Sequence, residues 1–232
     1  MGSNARTARI AGLLYLVVVL TGILSLAYVP SKLMVPGDTA ATVANILANE
    51  QLFRVGIAAG LVCYTAFLLL PLVLYRLLAP AGRNAAAAMV ALAVASVPIS
   101  LLNVRCRMDL LSLLHRSEHG FSPEQLQVQA RMLLDSYSNG ILTVELFWGL
   151  WLLPLGYLVV KSGAIPRILG VFLMLGCAGY MIEVFGSLLI PGFDDMAFAA
   201  YVTKPAAIGE IGTCLWLLIM GARPIESESS TG

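Results

Sequence analysis

Residues 168–190 read ILGVFLMLGCAGYMIEVFGSLLI, and Glu183 is the one charged side chain in this run. A helix of about 20 apolar residues crosses the roughly 30 Å of hydrocarbon in a bilayer. A lipid-exposed backbone must satisfy its own hydrogen bonds, which makes a helix the expected conformation. The stretch therefore predicts a membrane-spanning helix that carries a carboxylate inside the lipid.

Five further stretches are similarly apolar and near spanning length, at residues 10–29, 53–75, 85–102, 140–160 and 198–221. The first also resembles a signal peptide, because Arg6 and Arg9 precede it and Ser25-Leu26-Ala27 resembles a cleavage site. Its apolar run is longer than that of a typical signal peptide, so we interpret it as the first helix, with cleavage as the alternative.

Composition supports a membrane protein, since 59% of the 232 residues are hydrophobic and 12% are charged. Soluble domains carry about a quarter charged residues. The net charge of +1, without a basic cluster, argues against a nucleic-acid partner. We predict an all-α polytopic membrane bundle of about six transmembrane helices, forming one domain over residues 1–224, followed by a disordered polar tail at 225–232.

Basic residues in the short loops predict the orientation through the positive-inside rule. With both termini in the cytoplasm, the cytoplasmic side holds Arg6, Arg9, Arg76, Arg83, Lys161, Arg167 and Arg223. The long third loop is an exception, because it places Arg105, Arg107, Arg116 and Arg131 outside, partly offset by nearby acids. Long loops carry little weight in this rule, so the assignment stands as an expectation.

Two extracytoplasmic loops carry helix-start patterns, which predict short amphipathic helices on the membrane surface. In the first, Asp38 or Thr39 is the expected N-cap of a helix that ends near Asn49. In the second, Ser122 and Gln125 have capping-box spacing around a proline at the first helical position.

Glu145 and Glu210 join Glu183 as carboxylates inside apolar spans. At about 1.5 Å per residue they lie roughly 8 Å (Glu145), 10 Å (Glu183) and 18 Å (Glu210) from the proposed outer helix ends. Such residues usually face a bundle interior or a watery cavity, so we expect one outward-facing cavity lined by the three acids. Polar groups expected on the same side are Arg54, Asn103, Arg105, Arg107 and Lys204. The further candidate site residues are Trp148 and Trp151, which are near Glu145 in sequence, and Tyr180, three residues before Glu183.

Structural ion pairing is the alternative explanation of these acids. The candidate pairs are Glu145 with Arg105 or Arg107, Glu183 with Lys204, and Glu210 with Arg54. The tryptophans beside Glu145 likewise have two interpretations, as a cation-stabilising aromatic wall or as ordinary packing and interfacial anchoring. Pro205 predicts a break in the sixth helix about one turn before Glu210.

Metal and cofactor sites are not expected. His115 and His119 have i, i+4 spacing, but their order around Glu118 is not that of an HExxH motif. The four cysteines are scattered without CxxC or Cys/His ligand spacing and are expected to be small buried residues.

Four stretches resemble a family of bacterial membrane proteins catalogued as domain-of-unknown-function family 4386. They are VPGDTAATVANILANEQLFRVG (from Val35), FSPEQLQ (from Phe121), LPLGYLVVKSGAIPRILGVFLMLGCAGYMIE (from Leu153) and GEIGTCLWLLIMG (from Gly209). The resemblance implies a bacterial inner-membrane location. Members often carry His at the position of Trp151 and Asp at that of Glu183, so a role of that His in the family does not transfer to this chain. Glu210, in contrast, matches the family pattern directly.

Two functions are compatible with these features. The first is binding or transport of a small amphipathic or cationic molecule through the carboxylate-lined cavity. The second is an intramembrane enzyme that performs acid–base chemistry on a lipid or isoprenoid, by analogy with membrane terpene cyclases. The expected partners are membrane lipids and a small hydrophobic or amphipathic ligand.

Overall fold

The computed structural model describes residues 2–115 and 122–223, with side chains from Asn4 onward. Within these residues the chain is all-α, as predicted, with no strand. The α-helices are α1 Gly2–Gly22, α2 Val29–Leu33, α3 Thr39–Ala48, α4 Glu50–Leu78, α5 Arg83–His115, α6 Pro123–Leu150, α7 Leu152–Ser162, α8 Arg167–Leu189, α9 Ala199–Val202 and α10 Lys204–Ile219. A π-helix, Ile23–Tyr28, joins α1 to α2.

Six helical segments of the described chain are long and apolar enough to cross a membrane, which indicates a multi-pass membrane protein. They are Asn4–Leu33, Glu50–Ala81, Arg83–His115, Pro123–Ser162, Arg167–Leu189 and Ala199–Ile219. Most are longer than the predicted spans, because helix formation continues past the apolar core at both ends. The predicted tail at 225–232 lies outside the described residues.

The loop segments differ in how far they match the predicted short helices. Asp38 caps α3, since its Oδ1 accepts a hydrogen bond from the Ala41 N–H at 2.8 Å. At Ser122 both capping-box hydrogen bonds form, with Gln125 N–H donating to Ser122 Oγ and Ser122 N–H to Gln125 Oε1. The helix that follows is not a separate short one, because α6 continues to Leu150 without a turn residue to end it.

The helices form two compact units within the described chain. Unit 1 comprises residues 2–16, 66–97 and 143–223, and unit 2 comprises residues 17–65, 98–115 and 122–142. Four helices, α1, α4, α5 and α6, contribute residues to both units. The single domain over residues 1–224 stays a prediction.

Glycines set the spacing of the helices in unit 1, because a missing Cβ lets backbones approach closely. A Cβ on Gly156 of α7 would lie 2.6 Å from the Gly170 carbonyl oxygen of α8. A Cβ on Gly176 would lie 2.6 Å from the Ala206 Cα of α10, and one on Gly179 would lie 2.0 Å from the Val202 carbonyl oxygen. These contacts hold α8 against α7 and α10, the helices around the candidate site.

The predicted break in the last span is present between α9 and α10. Thr203 separates the two helices, and Pro205 lies in the first turn of α10, where its missing N–H costs no helical hydrogen bond. Glu210 therefore lies in the second turn of a helix that begins at Lys204.

Candidate functional site

The three glutamates of the predicted site lie on three different helices of unit 1. Glu145 lies on α6, Glu183 on α8 and Glu210 on α10, and all three are half-buried. The hydroxyl of Tyr180 is within charge-interaction range of all three carboxylates. Unit 1 therefore gathers the three acids, predicted from separate spans, around one tyrosine.

Tyr180 reaches this position because α6 and α8 approach closely at Gly149. A Cβ on Gly149 would lie 2.5 Å from the Cβ of Tyr180, a distance that no real side chain tolerates. The same absence of a side chain lets the glutamate one turn earlier on α6, Glu145, interact electrostatically with Glu183.

Glu210 has a direct partner on the first helix. The Tyr15 hydroxyl donates a hydrogen bond to Glu210 Oε1 at 3.1 Å, and Tyr15 is only 1% exposed. A hydrogen bond to a carboxylate is stronger than one between neutral groups, so this contact orients the Glu210 side chain. The two residues are 195 positions apart, so the bond links the first and last spans.

Aromatic rings surround the Tyr15 end of this pair. Trp151, between α6 and α7, is 1% exposed and packs against Phe67 with ring centroids 5.0 Å apart in a T-shaped arrangement. Its ring centroid lies 6.3 Å from that of Tyr15. The tryptophan predicted beside Glu145 thus stands next to the Tyr15–Glu210 pair, whereas Trp148 is half-buried on α6.

The predicted ion pair between Glu183 and Lys204 is absent, and no carboxylate of the three is ion-paired within the described part of unit 1. Lys204 is exposed, and its Nζ lies 3.8 Å from the centroid of the Tyr201 ring. A ring face attracts the ammonium without neutralising any acid. Instead of a cation, Glu183 has a further acid, Asp194, within electrostatic range. Asp194 accepts a hydrogen bond from the Ser187 hydroxyl at 2.7 Å.

A cavity of about 500 Å³ lies on the same stretch of α8. Its lining is apolar and consists of Met181, Ile182, Phe185, Gly186, Leu189, Ile190, Phe193 and Phe198. None of the three glutamates lines it, so this cavity is not the carboxylate-lined cavity that the sequence predicts. Glu183 lies between the lining residues Ile182 and Phe185 in sequence but is not itself a lining residue.

The predicted arginines Arg54 and Arg105 lie in unit 2 and pair with acids one helical turn away. Arg54 Nε bonds Glu50 Oε1, and Arg54 Nη2 lies 3.1 Å from His115 Nε2. Arg105 Nε lies 3.3 Å from Asp109 Oδ2. These are exposed i, i+4 pairs on a helix surface, which contribute little to stability.

Arg107 and Asn103 of unit 2 form a buried polar group around Tyr137. Arg107 is 5% exposed, and its Nη1 donates to the Ser25 carbonyl oxygen at 3.0 Å and to Ser25 Oγ at 3.3 Å. The guanidinium carbon lies 4.0 Å from the Tyr137 ring centroid, and Asn103 Nδ2 donates to the Tyr137 carbonyl oxygen at 3.0 Å. Ser25 belongs to the π-helix, whose irregular hydrogen bonding is common at functional positions.

No group of three His, Cys, Asp or Glu side chains in the described residues is arranged to hold a metal ion. His115 contacts Glu50, with 3.2 Å between Nε2 and Oε1. The other histidine of the i, i+4 spacing, His119, lies outside the described residues.

Three contributors were missed in the sequence. Tyr15 is the one hydroxyl-bearing side chain in the aliphatic run LLYLVVV, and this contrast is a usable clue. Ser25 stands out in the sequence only as part of the possible cleavage site, and Phe67 has no feature that distinguishes it from other apolar residues of its span.

Comparison with known proteins identifies a family across most of the chain. The family model described as Domain of unknown function (DUF4386) matches residues 10–221. A protein of Archaeoglobus fulgidus described as "Uncharacterized protein" is 31% identical over 85 residues, which cover 37% of this chain and 48% of that protein. The chain thus matches about half the length of this relative. No solved structure matches the chain significantly.

Proposed function

The chain belongs to the family described as Domain of unknown function (DUF4386), and we propose that it binds or transports a small amphipathic cation through Glu145, Glu183 and Glu210. One observation carries the proposal: three half-buried carboxylates lie within electrostatic range of Tyr180, without an ion pair in the described part of unit 1. Carboxylates inside a membrane are costly unless a partner compensates them. A bound cation supplies that compensation.

The apolar cavity on α8 supports an amphipathic ligand. Its volume of about 500 Å³ falls within the range of about 300–1,000 Å³ that small-molecule sites occupy. Because Glu183 and Asp194 are sequence neighbours of lining residues, a ligand with its apolar part in the cavity holds its charged group near carboxylates.

The proposal includes a location and an orientation. We place the protein in a bacterial inner membrane with both termini in the cytoplasm, so that Glu145 and Glu183 face the outer half of the bilayer. The distribution of arginine and lysine supports this orientation, since Lys161 and Arg167 lie at the opposite ends of the spans that carry Glu145 and Glu183, with Lys204 as an exception.

The binding test uses an alkyltrimethylammonium probe and the full-length protein in lipid nanodiscs. Glu210→Gln preserves side-chain shape but removes the charge, so we expect affinity for the probe to fall about tenfold or more. Asp135→Asn is the matched control, because Asp135 is an exposed acid of unit 2 paired with Arg131 at 3.6 Å. Equal affinity in Glu210→Gln and wild type contradicts the proposal, and so does a variant that loses only thermal stability.

One observation favours the alternative of an acid–base enzyme acting on a lipid or isoprenoid. The Glu210 carboxyl accepts a hydrogen bond from Tyr15, whose ring lies 6.3 Å from that of Trp151, and Trp151 in turn packs against Phe67. A carboxylic acid here can protonate an alkene while ring faces shelter the positive charge. Cyclisation takes up one proton and releases another, so the product has the same mass as the substrate. The test incubates the protein with a polyprenyl alcohol and looks for a product of equal mass but different chromatographic retention time. Formation of this product by wild type but not by a variant without Glu210 would establish this function instead.

A further inference from the structure

A second cavity lies in unit 1 between the start of α5 and the end of α7. It encloses about 430 Å³ and is lined by Gly82, Arg83, Asn84, Ala85, Tyr157 and Lys161. Lys161 is one short loop before α8 begins at Arg167. Glu183 lies 16 residues along α8 from that end, or about 24 Å, so the cavity is separate from the carboxylate site.

Two cations on different helices line this cavity. Arg83 is the first residue of α5, and Lys161 lies in the last turn of α7. Residues 66–97 and 146–182, which form the neighbouring helices of unit 1, contain no Asp or Glu. The two positive charges are therefore not neutralised by an acid from these segments.

Backbone donors add to the positive character of the cavity. Gly82 occupies the position before α5, and its carbonyl oxygen accepts the Ala86 N–H at 3.0 Å. The first N–H groups of an α-helix have no intrahelical acceptor, and glycine offers no side chain to cap them. The N–H groups of Asn84 and Ala85, both lining residues, thus supplement the charges of Arg83 and Lys161.

Tyr157 marks the depth of the cavity in the membrane. Its ring is 46% exposed and lies 5.9 Å from Lys161 Nζ. Exposed tyrosines and lysines at helix ends lie at the level of lipid headgroups. The cavity is therefore accessible to a headgroup of the adjoining leaflet and to a solute in the neighbouring water.

From this combination we propose that the cavity binds a phosphate group, the chemistry shared by an anionic phospholipid headgroup and a soluble phosphate ester. Arg83 and Lys161 supply the charge, Asn84 and the first turn of α5 supply hydrogen-bond donors, and Tyr157 forms the wall toward the lipid. Basic pockets between transmembrane helices are suited to anionic headgroups by the same electrostatics.

The test measures lipid retention by native mass spectrometry of the full-length protein released from nanodiscs of phosphatidylcholine and phosphatidylglycerol. We expect wild type to retain phosphatidylglycerol and the double variant Arg83→Gln/Lys161→Gln to retain it at least about tenfold less. The matched control, Arg76→Gln/Arg167→Gln, removes two exposed cations at the end of α4 and the start of α8, outside the cavity lining. Equal loss in both double variants overturns the proposal, because general attraction to the basic helix ends then explains retention.

Asn84→Asp provides a test that does not depend on removing cations. An acid in the first turn favours the helix, so folding is maintained, while its charge opposes a bound phosphate. We expect this variant to lose phosphatidylglycerol as the double variant does, and undiminished retention contradicts the site.

A second arm identifies the source of the phosphate. Inorganic phosphate is added to the protein in discs of phosphatidylcholine alone, and the melting temperature is recorded. A rise in wild type that is absent in Arg83→Gln/Lys161→Gln, without phosphatidylglycerol retention, assigns the site to soluble phosphates. Absence of both retention and stabilisation overturns the proposal.

Discussion

Gly179 lies where α8 meets the turn between α9 and α10, next to Tyr180 in sequence. A Cβ there would lie 2.0 Å from the Val202 carbonyl oxygen, a backbone atom that cannot rotate away. Because Gly179 has no Cβ, α8 can approach the last span this closely. The same close approach sets the distance from Tyr180 to Glu210.

Gly179→Ala is expected to destabilise the protein by about 1–3 kcal/mol, because an overpacked contact forces the helices apart. The measurement is the midpoint of detergent-induced unfolding, together with probe binding at the carboxylates. Gly22→Ala is the control, since its Cβ would meet only Cys63 Sγ at 3.6 Å. Equal midpoints for the two variants would show that α8 adjusts without cost.

Among the helices, α3 is stabilised at its start by hydrogen bonds between residues that are close in sequence. Asp38 accepts the Ala41 N–H through its side chain and the Thr42 N–H through its carbonyl oxygen, at 2.8 and 3.1 Å. Thr42 also ties the helix to the preceding turn, since its Oγ1 accepts the Val35 N–H at 2.9 Å. The start of α3 is thus held by short-range hydrogen bonds.

Asp38→Ala is expected to weaken α3 by about 1 kcal/mol, because one N–H at the helix start loses its acceptor. Faster amide hydrogen exchange confined to residues 39–48 is the expected readout. Asp38→Asn keeps an acceptor at the cap and should leave exchange close to wild type. Unchanged exchange in the alanine variant would assign the stability of α3 to packing of Val43 and Ile46, which are buried.

For the whole molecule, the even number of candidate spans in the described residues predicts that both ends of the helical region lie on one side of the membrane. The proposed orientation puts Asp195 outside and Asn84 inside. In a Cys106→Ser background, Asp195→Cys is expected to react with a membrane-impermeant maleimide in intact cells, whereas Asn84→Cys should react only after lysis. The reverse pattern would invert the orientation and move the carboxylate site to the inner half of the bilayer.

The sequence by itself determined the class of the protein, the six spans, the Asp38 cap, the Ser122 capping box and the break before Glu210. Each of these depends on groups within a few residues of one another. Hydropathy is summed along a single helix, a cap bonds an N–H three residues away, and a proline acts on its own turn. Such features are readable without knowing which helices are neighbours.

Only the tertiary structure decided which polar groups meet. The Tyr15–Glu210 hydrogen bond, the position of Tyr180 in electrostatic range of the three carboxylates and the Arg107 contact with Ser25 all join different helices. The sequence predicted a cavity shared by the three acids, with a Glu183–Lys204 ion pair as the alternative, and it identified neither the tyrosine partner of Glu210 nor the place of Tyr180 among the acids. Contacts between helices depend on their rotation and separation, and in unit 1 close glycine contacts at positions such as Gly149 and Gly179 set both. A hydropathy pattern shows that a helix crosses the membrane, but helix packing determines which side chain each glutamate meets.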